Sequence, residues 1–142
     1  MSLRIILLLI AISFPFFASL ATADDLRIAN GRISMPIGRE DPAVFFVIQS
    51  KSKEIRTIVG ASSPRSESVS IRRTAIVEGQ WGSEAMPDGM AIPPGGAVAF
   101  APRGLFLRMM SAEKLAAGDV VPIILKFANG ESISFDAVAT DE

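Results

Sequence analysis

Apolar side chains recur at every second position along short runs that are bounded by turn residues, and this period of two is the strongest constraint on the fold. In an extended strand successive side chains point to opposite faces, so such a run buries one face and leaves the other in water. LRIANGRIS (26–34) reads as a first strand with a possible turn at Asn30-Gly31, and AVFFVIQS (43–50) as a densely buried one. Further strands are expected at EIRTIVGA (54–61), ESVSIRR (67–73), GAVAFAP (96–102), GLFLRMM (104–110), VVPIILKFA (120–128) and ESISFDAVA (131–139). Asn129-Gly130 joins the last two as a hairpin signal.

The connectors MPIGREDP, ASSPRS, EGQWG, MPDG and IPPGG are turn chemistry, and only SAEKLAAG offers a turn or two of helix. Seven to nine short strands spaced by about ten residues predict a single all-β domain, an antiparallel sandwich or a Greek-key barrel. A chain of 142 residues suits one domain with a sizeable core.

Part of the apolar content belongs elsewhere. Residues 1–23 hold Arg4, an apolar run and then Ala21-Thr22-Ala23, the order of a Sec-type signal peptide cleaved after Ala23. The apolar stretch is too short for a membrane span and contains Pro15. The expected mature domain is therefore 24–142, exported, with no membrane span after cleavage.

Charge and composition exclude several chemistries. Lys+Arg 14 against Asp+Glu 15 leaves no basic surplus, which argues against nucleic acid as a partner. With His 0 and Cys 0, thiolate metal sites, disulfides and Ser-His or Cys-His nucleophiles are excluded. Acid-base work would fall to carboxylates, but Glu40, Asp41, Glu67, Glu78, Glu84 and Asp88 lie in or beside loops where solvated charges are the ordinary finding. The sequence thus argues against an enzyme. Met35, Met86, Met90, Met109 and Met110 could fill a core or, as soft thioethers, hold Cu(I).

The segments RTIVGASSP, ESVSI, IPPGGAVAFAPRGLFLRMM and LAAGDVVPIILKFANGESISFDA, in this order, resemble the periplasmic copper chaperone family PCu(A)C from Leu26 to about Val138. The resemblance implies a cupredoxin-like β-sandwich in the periplasm. It also implies a carrier that passes copper to the Cu(A) centre of cytochrome c oxidase, with oxidase assembly factors as protein partners.

This chain departs from the family at the metal site. Where the family pattern carries His, Met, His and Met as copper ligands, this sequence has Arg72, Ser83, Phe106 and Arg108. The expectation is a member that binds copper weakly or not at all, with no cofactor. A Cu(I) site built from Met86 and Met110 stays open as the metal alternative. The other reading is a converted site, in which Arg72 and Arg108 take an anion or a partner's carboxylate and Phe106 or Trp81 stacks on one of them.

Overall fold

A computed structural model describes residues 25–35 and 41–141. The expected signal peptide and its cleavage point lie outside the described residues. The element order is β1 (Leu26–Ser34), β2 (Ala43–Ser50), β3 (Arg56–Ser62), β4 (Ser66–Val77), β5 (Gln80–Ala85), β6 (Met90–Ile92), β7 (Ala97–Phe100), β8 (Leu105–Ala112), β9 (Val120–Phe127) and β10 (Ser132–Thr140). Helix is absent among the described residues.

Backbone pairing runs in the order β5-β4-β8-β7-β2-β1-β10-β9-β3-β6. A further pairing of β3 with β4, Ala61 opposite Val69, closes eight of these strands into a barrel with β5 and β6 outside the ring. Closure removes the free edges that an open sheet would present.

Period two is realised most cleanly in β9 and β10. Val121, Ile123, Leu125 and Phe127 alternate with outward neighbours, as do Ile133, Phe135, Ala137 and Ala139. At the centre the ring of Phe46 stacks on Phe100, centroids 4.3 Å apart, and meets Phe135 at 4.8 Å. Each aromatic pair adds about 0.5–1.5 kcal/mol beyond area burial.

Several expectations need correcting. The sheet is not purely antiparallel, because β1 runs parallel to β10 and β7 parallel to β8. Asn30-Gly31 is a bulge inside β1 rather than a turn, as the register slips between Ala29 and Arg32. A Cβ at Gly31 would lie 2.6 Å from the Asp136 carbonyl oxygen, so the bulge rests on the close approach that only glycine allows.

EGQWG is not merely a connector, whereas MPDG is the turn expected between β5 and β6. Glu78 and Gly79 form a two-residue turn with φ of 53° and 78°, the doubly left-handed geometry of a tight hairpin, and β5 follows at once. The segment SAEKLAAG forms no helix; its first two residues finish β8, and Ala116 N–H is held by the Asp119 carboxylate at 2.9 Å.

A candidate anion corner on the outer face

The register of β4 sets the site. Arg72 lies opposite Phe106 and Ser70 opposite Arg108 on β8, while Thr74 lies opposite Ser83 on β5. Ile71 and Leu107 point into the barrel at 6% and 0% exposure, so their strand neighbours Arg72, Phe106 and Arg108 point outward together. The four positions singled out in the sequence, Arg72, Ser83, Phe106 and Arg108, therefore share one corner.

Their contacts centre on a single hydroxyl. Arg72 Nε donates to Ser83 Oγ at 2.7 Å and its Nη2 to the Ser83 carbonyl at 3.0 Å, while Arg108 Nη2 donates to the same Oγ at 3.2 Å. The Arg108 guanidinium also lies 5.8 Å from the Phe106 ring centroid, within cation–π range. Phe106, rather than Trp81, provides that face; Trp81 is 75% exposed on β5.

Two cations held this close carry a cost. Burial first, and the Arg108 charge second, hold the Arg72 pKa below its ordinary value. A guanidinium stays protonated all the same, so the lowering expresses repulsion and desolvation and not loss of charge. Among the described residues the ion pairs fall to Arg56, Arg65 and Arg73, leaving Arg72 and Arg108 with no carboxylate within 4.0 Å.

The corner opens into a cavity of about 510 Å³. Phe45, Phe106, Thr74, Ser83, Arg103 and Arg108 supply most of its chemistry, and Asp41 stands on its wall. Arg103 reaches it from the turn before β8, where φ is 65° and Gly104 N–H bonds the Ala101 carbonyl at 3.0 Å. Sequence reading missed Arg103, Thr74 and Phe45. PRG reads as an ordinary turn, and nothing in it signals that its arginine faces a cavity.

The methionines divide by face. Met109 is wholly buried, and Met35, Met86 and Met90 pack against the core. Met110 is 41% exposed and lies opposite Ser68, on the outward side of β8 with Phe106 and Arg108. Of the pair considered for Cu(I), Met86 thus packs on the core side and Met110 stands on the outward side. Among the described residues no three His, Cys, Asp or Glu side chains cluster as a metal site would require.

The all-β barrel is similar in fold to solved PCuAC domains. A copper-bound PCuAC domain from PmoF2 superposes with a TM-score of 0.67 at 16% identity, covering 85% of this chain and 97% of that one. The apo PCuAC domain from PmoF1 gives 0.69 at 17% identity, covering 85% and 98%. The Cu(I) form of DR1885 from Deinococcus radiodurans gives 0.67 at 24% identity, covering 88% and 86%. These likenesses establish the fold. By sequence, the family model of the LpqE-like lipoproteins matches residues 26–139, and the chain belongs to that family. No curated protein matches it.

Proposed function

We propose that this chain is an exported, non-enzymatic binding module on the PCuAC fold that takes an anionic group, a carboxylate or phosphate, at the corner where the resemblance places copper ligands. The observation that carries the reading is the convergence of the Arg72 and Arg108 guanidiniums on Ser83 Oγ. Each guanidinium has five N–H donors in a planar fork. The bonds to Ser83 use two from Arg72 and one from Arg108, so several remain for an incoming oxyanion.

Copper fits this donor set poorly. A fixed cation about 4 Å from Cu(I) costs roughly 4 kcal/mol at an effective dielectric of about 20, and the corner has two such cations. Serine hydroxyl and phenyl groups do not compensate, since Cu(I) favours thiolate and thioether ligands. Delivery of copper to an oxidase centre, which the resemblance implies, would need a different set of side chains here.

The test is a pair of titrations on the purified protein. Cu(I) titrated against a competing chelator is expected to show no submicromolar affinity. Sulfate or phosphate is expected to raise the melting temperature above a chloride control of equal ionic strength, and Arg108→Gln to remove that rise. Submicromolar Cu(I) binding that disappears in Met86→Ala or Met110→Ala would reverse the reading.

A further inference from the structure

We infer that the cavity beside the arginine corner takes an organic carboxylate with a flat apolar body, the carboxylate at the arginines and the body between Phe45 and Phe106. This rests on the anion-binding reading of the corner and adds to it the class of ligand.

Three features of the cavity lead here. Its volume of about 510 Å³ is far more than an inorganic anion fills and lies within the range of about 300–1,000 Å³ typical of small-molecule sites. Its wall includes two aromatic rings from adjacent outward strands. Phe45 is only 8% exposed although Val44 and Phe46, its strand neighbours, occupy the barrel interior. The Arg32 guanidinium lies 5.2 Å from the centroid of that ring and occupies one of its faces.

Positive charge stands beside these rings. Arg108 and Arg103 both line the cavity, and Arg72 stands just behind Ser83. Among the described residues Asp41 is the acidic group in the lining against Arg103 and Arg108. Arg103 occupies a left-handed backbone position where glycine is favoured, and glycine is in fact the next residue. Residues held in such conformations cluster at ligand sites. Ser34, Thr74 and Ser83 share the rest of the wall with Ala43, Gly82 and Pro102, so the lining is about as polar as it is apolar.

The inference is tested by NMR titration of the purified protein with acetate, phenylacetate and 2-phenylethanol. Phenylacetate is expected to bind about ten-fold more tightly than acetate, because burying a phenyl ring adds apolar contact. The neutral alcohol is expected not to bind. Phe106→Ala should erase the advantage of phenylacetate while leaving acetate binding in place. Arg103→Gln, at an exposed turn residue, should weaken phenylacetate several-fold and serves if the Phe106 variant fails to fold.

A short peptide ending in phenylalanine identifies the source of the carboxylate. Tighter binding than phenylacetate assigns the cavity to a chain terminus and weaker binding to a free small molecule, and either outcome supports the inference. Equal affinity for acetate and phenylacetate overturns it while leaving the anion corner intact. No binding of acetate, sulfate or phenylacetate overturns both.

Discussion

Ser83 is the residue on which the corner turns, because its hydroxyl oxygen accepts from two guanidiniums that repel each other. Removing it leaves Arg72 Nε without its acceptor and the two charges without a shared dipole between them. Ser83→Ala is expected to lower stability by about 1 kcal/mol, read by urea denaturation, because a hydrogen bond to a charged donor is lost at a partly buried site. A stability gain would show that the arginines are held by something other than this hydroxyl. The resemblance, which matches the family's copper ligands to these four positions, leads to a prediction of opposite sense. In the quadruple variant Arg72→His, Ser83→Met, Phe106→His and Arg108→Met, two cations leave and two imidazoles and two thioethers enter positions that the strands already bring together. That variant is expected to bind Cu(I) with submicromolar affinity in the chelator competition where the parent shows none. Failure of a folded variant to bind would mean that the corner differs from a copper site in more than its side chains. The arginines were legible as the anomaly in GLFLRMM and ESVSIRR. Ser83 was legible only as a position matched by the resemblance, and its place on a strand was not, because the short run QWGSEA of β5 lacks an alternating apolar signal.

The β4–β5 hairpin shows why that strand escaped notice and what holds it. Glu78 sits at φ 53° and Gly79 at φ 78°, and the glycine alone is suited to such an angle. Asparagine tolerates the left-handed region far better than glutamate, so Glu78→Asn is expected to raise stability by about 0.5–1 kcal/mol, measured by thermal unfolding. Destabilisation would show that the Glu78 carboxylate does something the backbone does not reveal. The opposite case stands before β6. A Cβ at Gly89 would fall 2.0 Å from the Ile58 carbonyl oxygen, at a φ of 77°, so the backbone of β3 would have to move. Gly89→Ala is expected to cost at least about 2 kcal/mol, since left-handed strain and overpacking add there. A cost below 1 kcal/mol would mean that β6 can detach from β3 without consequence for the barrel. Element type was legible wherever apolar residues alternate, as in β9 and β10, and in the hairpin between them. It was not legible where a turn uses glutamate in place of asparagine, or where a strand such as β6 is three residues long. SAEKLAAG has helix-favouring residues, yet Ala116 N–H pairs locally with the Asp119 carboxylate and Gly118 N–H pairs with the distant Ala139 carbonyl, so one local and one tertiary bond outweigh propensity.

For the whole molecule the open matter is attachment. The family is one of lipoproteins, yet none of the 142 residues is a cysteine, so no thioether- or thioester-linked lipid can form within them. The barrel itself is closed from its first described residues. Arg56 pairs with Asp25 at 2.8 Å and also with Glu131, which ties the chain just before β1 to the turn between β9 and β10. Its guanidinium further lies 5.9 Å from the Phe127 ring centroid, so this clasp joins β3 and β9 as well. Among the described residues no helix is long and apolar enough to cross a membrane. If residues 1–23 act as the signal their order predicts, a copy expressed with them in a secreting host is expected to be cut after Ala23 and to enter the aqueous layer in detergent phase separation. Intact-mass analysis of the exported protein should place its first residue at Asp24 and show no added acyl mass. Recovery in the detergent layer with the leader still attached would make residues 5–17 an anchor, and the anion corner would then work at a membrane surface, with its ligands drawn from that surface and not from free solution.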